Sequence, residues 1–255
     1  MKPMILMYHR VADLAAGERY TVSPAQFSRQ MRYLREQRYD VINLSTLMDW
    51  LAGSTSLAGR SIVVTFDDGF LDTYEHACPV LCDYGFKATF FMISGLVGKT
   101  NTWMTSRGDP STPLMGWREI ENLKRCGYEV GSHAVTHRDL TEISLDEAKD
   151  ELDSSKQTLE DRLCVPINFF AYPYGCYNSK VRELVREAGY TAACTTAPGF
   201  IDPVENNFEL RRVEVSGTDS LRTFAQKMEF GTKQRSYTDL ARYYARRVVA
   251  KTFGR

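Results

Sequence analysis

The apolar positions of this chain follow two alternating rhythms. Near-continuous runs rich in β-branched and aromatic residues recur at 4–8, 39–44, 61–66, 88–93, 128–131, 167–171 and 190–195, bounded by turn formers. Such runs read as strands buried on both faces. Between them the spacing becomes helical. Ser23 and Pro24 open a helix to about residue 38, with Phe27, Met31 and Leu34 on one face, and Ser45 is the expected cap of a second. Further helices are predicted over 70–84, with Pro79 expected to kink or interrupt it, and over 117–126. Ser144 and Glu147 form a capping box for a long helix to Leu163, whose charges read as a solvated face, and Asn178 caps a helix to Ala188. Residues 208–215 and 221–230 complete the pattern.

Strands alternating with helices imply parallel pairing through right-handed crossovers. About seven such units in 255 residues predict an α/β fold and favour a closed or nearly closed barrel over an open sheet, two arrangements that periodicity alone does not separate, formed as a single domain over residues 1–230. The stretch 94–115 is too long for a simple connection and is expected to bind ligand or cover it, with Trp103 and Trp117 turned toward the substrate.

Lys plus Arg and Asp plus Glu both total 32, so no global basic field exists and nucleic acid is excluded as the expected partner. The six cysteines lack a Cys-x-x-Cys pair and are expected to be reduced, mostly buried thiols. No run approaches the roughly 18 apolar residues of a membrane span, and the start carries no signal-peptide pattern. The expected location is the cytoplasm. Residues 231–255 differ in character, with seven basic side chains against one acid, Asp239, and amphipathic spacing. They predict a basic helical tail, suited to peripheral contact with the inner face of a membrane or with a partner.

The chemistry gathers at strand ends. Residues 61–66 run into Asp67-Asp68-Gly69, which alone is also ordinary turn chemistry. Only four histidines occur, and two of them, His133 and His137, stand four apart just after another strand, a spacing that puts two imidazoles on one side of a helical turn. An aspartate from the 67–68 pair completes a two-histidine, one-carboxylate site for a divalent metal ion. Zinc leads among the candidates, and cobalt, nickel, iron and manganese also suit the set. Adjacent aspartates do not easily share one ion, so one binds metal while its neighbour takes a proton, as in a hydrolytic centre.

Thr65-Phe66-Asp67-Asp68-Gly69, then Ser132-His133-Ala134-Val135-Thr136-His137, then Phe170-Ala171-Tyr172-Pro173-Tyr174-Gly175, in that order, resemble the first three motifs of the polysaccharide deacetylase family (NodB-like, carbohydrate esterase family four). The resemblance implies a distorted (β/α)-type barrel, a divalent metal and removal of acetyl from an N-acetylated sugar. Carried over by position, Asp67 is the catalytic base, Asp68, His133 and His137 the metal ligands, and Tyr174 the residue whose backbone N–H stabilises the oxyanion, with Pro173 beside it in the substrate site.

Three departures stand out. Ala134 replaces the family's Ser or Thr, for which Thr136 is the candidate substitute. Ala171 replaces the arginine that holds the catalytic aspartate, for which Arg211 or Arg212 is the candidate. No histidine follows His137, although many family members take their general acid from a late one. His9, in Tyr8-His9 at the end of the first predicted strand, is the expected acid, an arrangement similar to the branch acting on poly-N-acetylglucosamine exopolysaccharides; His76 reads as structural. The expected substrate is an N-acetylhexosamine unit of a polysaccharide, oligosaccharide or lipid-linked glycan precursor. A hydrolase of a non-sugar amide and a catalytically weak carbohydrate-binding module remain the alternatives.

Overall fold

The computed structural model describes residues 2–13, 18–105, 111–204 and 206–232. The elements in chain order are β1 Met4–Tyr8, β2 Arg10–Val11, β3 Thr21–Val22, α1 Pro24–Glu36, β4 Tyr39–Ile42, α2 Leu44–Leu51, β5 Arg60–Phe66, α3 Leu71–Tyr84 and β6 Thr89–Met92. They continue with α4 Thr102–Thr105, α5 Trp117–Arg125, β7 Glu129–Ser132, α6 Leu145–Leu163, β8 Phe169–Ala171, α7 Ser179–Glu187, β9 Ala192–Cys194, β10 Val213–Glu214 and α8 Leu221–Phe230. The basic segment expected after residue 230 lies, from residue 233 onward, outside the described residues.

Eight strands form one sheet in the order β10-β1-β5-β6-β7-β8-β9, all neighbours parallel, with β4 joined to the lower half of β5. The sheet curls until its edges meet. Cys194 of β9 pairs with Leu210, and three residues later Val213 pairs with Leu6 of β1. This is the barrel favoured by the alternation of elements, with the distortion that the family resemblance implied. The distortion has a local cause: β4 accompanies β5 along 60–63, and β6 takes its place at Thr65 and Phe66.

Alternate residues of each strand serve two cores. Leu6, Val64, Phe90 and Phe170 face outward onto α1, α3, α5 and α6, whereas Ile5, Val63, Phe91, Ala171, Ala192 and Cys194 fill the interior. The interior is notable for its small residues on β8 and β9, which leave room for a buried polar group at one end of the barrel. A small two-stranded pair, β2 with β3, folds over that end beside β1.

Several local expectations are corrected. Helix α2 begins one residue early, so Ser45 is not its cap, and the side chain of Asn43 at the cap position makes no capping bond. The carboxylate of Glu129 does that job from β7, accepting the N–H groups of Leu44 (2.9 Å) and Ser45 (3.1 Å) as well as the Thr89 hydroxyl (2.8 Å). Helix α3 runs through Pro79 unbroken; Pro79 and Glu75, whose carbonyl the proline leaves without a donor, both stand at exposed positions. All six cysteines are free, but Cys82, Cys126 and Cys164 are exposed and only Cys194 is buried, since the others lie on outer helical faces or helix ends. Among the described residues no helix is long and apolar enough to cross a membrane.

Because one carboxylate serves three donors across two elements, Glu129→Ala is expected to cost about 2 kcal/mol of stability. Urea denaturation checks this, and Glu129→Gln, which keeps one acceptor, should lose less.

Candidate active site

Strands β1, β5, β7 and β8 end on the same rim, where α/β barrels place their chemistry. At the end of β5, the N–H of Asp67 is held by the carbonyl of Tyr8 (3.0 Å), which continues the ladder one residue past the strand. The chain then turns through Asp68 and Gly69, at φ 71° and 72°. A Cβ at Gly69 would stand 2.8 Å from the Met92 sulfur, so backbone conformation and space both call for glycine there. The turn sends the two aspartates in different directions.

Asp67 points toward a guanidinium. Arg212, fully buried just before β10, donates to its two carboxylate oxygens at 2.7 and 2.8 Å, and its Nε donates to the carbonyl of Thr195 at 2.9 Å. The guanidinium also lies 5.6 Å from the Phe91 ring centroid. Burial alone would push the Asp67 carboxyl up, but Arg212, with His133 and His9 nearby, outweighs burial and holds it below the usual carboxylate range.

Asp68 points toward the histidines. One of its oxygens lies 3.4 Å from Nε2 of His133 and 3.3 Å from Nε2 of His137 and has no hydrogen-bond partner among the described residues. The ligand atoms of these three buried side chains all fall within 4.8 Å of one another, the only such group of three among the described residues. Nδ1 of His133 is engaged by the carbonyl of Ala171 at 2.7 Å, which leaves Nε2 as the lone-pair nitrogen facing the centre. With Arg212 paired to Asp67, the carboxylate of Asp68 is the buried acid that faces the two imidazoles. Asp68 lies well below the usual range despite burial, His133 is raised by Asp68 against burial, and His137 is lowered by burial. A divalent cation fits this donor set: two imidazole nitrogens and one orphaned carboxylate oxygen.

The histidines do not sit on a helical turn, contrary to the expectation from their spacing. They lie on an irregular loop in which Ala134 has φ 64° and His137 φ 63°. Helix α6 holds that loop. Glu151 accepts the N–H groups of Val135 (2.8 Å) and Thr136 (2.9 Å) and the Thr136 hydroxyl, while Ser155 bonds the Ser132 hydroxyl (2.7 Å) and the Ala134 carbonyl (3.1 Å). Part of the supposedly solvated charge of α6 is therefore turned inward. A signal existed in the sequence: Ala148, Leu152, Ser155 and Leu159 share one helical face, with Glu151 beside them, so two polar residues interrupt an apolar stripe.

A cleft of about 480 Å3 opens above these groups. His9, one residue past β1, lines it, and its buried Nδ1 has no hydrogen-bond partner among the described residues. Tyr174 lines the other side at φ 57°, its ring 4.5 Å from that of His137, and Trp103 adds a ring 4.8 Å from the same imidazole. Pro173 is buried at the start of the turn that presents Tyr174 and is not among the lining residues. Trp117 is placed elsewhere, half-buried against the outer core with Arg162 5.6 Å above its ring, because the helix it opens packs on the outside of the barrel. His76 lies on α3, away from the cleft.

If the fork from Arg212 is what permits a buried Asp67, Arg212→Ala should destabilise the fold by about 3–5 kcal/mol by stranding that carboxylate. Urea denaturation measures the loss. Arg212→Lys keeps the charge but not the two-pronged geometry and should recover only part of it.

Known proteins place this geometry. Residues 55–193 match the family described as Polysaccharide deacetylase. YxkH of Bacillus subtilis (strain 168), which carries the same family description, is 26% identical over 212 residues, covering 83% of this chain and 71% of that protein. The poly-beta-1,6-N-acetyl-D-glucosamine N-deacetylase of Escherichia coli (strain K12) is 24% identical over 255 aligned positions, covering 88% of this chain, which spans only 38% of that enzyme's length. The structure of Streptococcus pyogenes deacetylase PplD in complex with acetate superposes with a TM-score of 0.77 at 26% identity, over 89% of this chain and 98% of that one. By its matched residues and by its barrel, the chain belongs to the polysaccharide deacetylase family.

Proposed function

We propose that the protein is a metal-dependent hydrolase that removes the N-acetyl group from an N-acetylhexosamine unit of a polysaccharide, oligosaccharide or lipid-linked glycan precursor. The observation that carries this reading is the division of labour between adjacent aspartates: Asp67 is clamped by Arg212, and Asp68 meets two imidazoles with an unpartnered oxygen. Asp68, His133 and His137 would hold the ion, zinc first among the candidates. Bound there, a divalent cation supplies Lewis acidity to the acetamide and its attacking water.

The protein's own residues carry the protons. Asp67, ionised and held in one orientation by two hydrogen bonds, accepts the proton of the attacking water as its oxygen adds to the acetyl carbon. The backbone N–H of Tyr174 donates to the carbonyl oxygen as that atom gains negative charge. His9, across the cleft, gives a proton to the nitrogen as the C–N bond breaks, so that acetate and a free amine leave. Arg212 keeps Asp67 from turning toward the ion, and Glu151 with Ser155 fixes the histidine loop. Arg212 and the Thr136–Glu151 contacts occupy the roles of the residues missing at Ala171 and Ala134, which favours an enzyme over a weakened binding module.

The first polymer to test is poly-β-1,6-N-acetylglucosamine, the substrate in the name of the Escherichia coli relative. Acetate release and elemental analysis together test the reading. Asp67→Asn should keep its metal and lose about a hundredfold or more of its rate, whereas His133→Ala should lose the metal itself. His9→Asn is expected to retain metal while turnover collapses; an unchanged rate removes His9 from its role. Absence of both metal and acetate release across N-acetylated glycans would overturn the enzyme reading.

A further inference from the structure

Two of the few large apolar side chains left exposed among the described residues stand in the cleft, Tyr20 at 44% and Tyr174 at 42%. They belong to different sides of it. Tyr174 and Trp103 both contact His137, on the side where the acetyl group must reach the buried carboxylate and imidazoles. Tyr20 contacts His9, with ring centroids 4.9 Å apart at 61°. If His9 protonates the departing nitrogen, the ring attached to that nitrogen lies on the Tyr20 side.

Tyr20 is held firmly for an exposed aromatic. Its carbonyl accepts the N–H of Arg10 at 3.1 Å, in register with the pairing of β2 and β3. The Arg19 guanidinium lies 5.0 Å from the ring centroid, and Glu214 fixes it by two bonds of 2.9 and 2.8 Å. The N–H of Gly217 bonds the carbonyl of Arg19 at 3.0 Å, so close that a Cβ at Gly217 would stand 1.9 Å from the carbonyl oxygen of Thr21. A strand pair and a glycine contact thus fix the backbone that carries Tyr20, and His9 and the Glu214-held Arg19 flank its ring, which remains open to the cleft. Holding such a surface in place before binding lowers the entropy lost when a ligand docks on it.

We propose that Tyr20 is the stacking platform for the pyranose ring that carries the departing nitrogen, and that the Arg19–Glu214 pair holds it in position. This rests on the deacetylase reading and narrows it: the site selects amides borne on a sugar ring over open-chain amides, because only the ring offers a flat C–H face to the aromatic. Tyr20 determines specificity and moves no proton.

The test uses the full chain and a tetramer of β-1,6-linked N-acetylglucosamine. Binding is measured by titration calorimetry on metal-free protein, and steady-state acetate release is followed on the metal-loaded enzyme. Tyr20→Ala should weaken tetramer binding and raise KM by about tenfold, with kcat within about twofold. Tyr20→Phe and Tyr20→Trp, which keep a ring, should bind as the parent does, and thermal melting confirms that all variants fold. Equal tetramer affinity for parent and Tyr20→Ala, no tetramer binding by the parent, or loss of binding in Tyr20→Phe would each overturn the platform. Parent protein that binds the tetramer through Tyr20 but releases no acetate would sink the deacetylase reading and leave the platform standing.

Discussion

The site depends on a single buried ion pair. Arg212 has no exposed surface, and its fork on Asp67 joins the segment entering β10 to the end of β5 across the barrel interior. A buried guanidinium is tolerated only when its donors and its charge are met, and here the Asp67 carboxylate, the Thr195 carbonyl and the Phe91 ring meet them. The same pair does three jobs. It closes the barrel where β9 and β10 approach, keeps Asp67 ionised despite burial, and by occupying Asp67 leaves Asp68 as the carboxylate facing the histidines.

Backbone strain is concentrated around that pair. Of the six non-glycine residues with positive φ among those described, Asp68, Ala134, His137 and Tyr174 all lie in the cleft or its supporting loop. Each such conformation costs on the order of 1–3 kcal/mol unless its surroundings enforce it. On the histidine loop the enforcement is visible as hydrogen bonds from outside it: Glu151 and Ser155 of α6 hold its backbone, and the carbonyl of Ala171 accepts from Nδ1 of His133. The barrel's stability is thus partly spent on holding side chains in orientations that a relaxed chain would abandon, in return for a pre-organised site.

Much of this was legible beforehand because it is written in local pattern. Buried parallel strands announce themselves as apolar runs, and strand ends locate Asp67, Asp68, His9 and the histidine pair on one rim. Contributions made across the fold were legible only in part. Arg212 could be nominated for the absent arginine at Ala171 but not chosen over Arg211, since the two adjacent residues differ only in which side of the strand they occupy; the observed Arg211 points outward to the Pro198 carbonyl at 3.4 Å. The charged sequence neighbours of Glu151 point to a solvated face, and nothing local marks Glu129 as the cap of a helix 85 residues away.

The alternation of strands and helices and the residue types at the strand ends are local properties of the chain and can be read from it directly, whereas the barrel, rather than an open sheet, follows from the three ordered motifs and their family resemblance. Which partner each of those residues takes is settled by the folded chain alone. The curl of the sheet brings Arg212 to Asp67, α6 to the histidine loop and Glu214 to Arg19 beside Tyr20. These pairings depend on contacts between segments up to 195 residues apart, which no local pattern encodes.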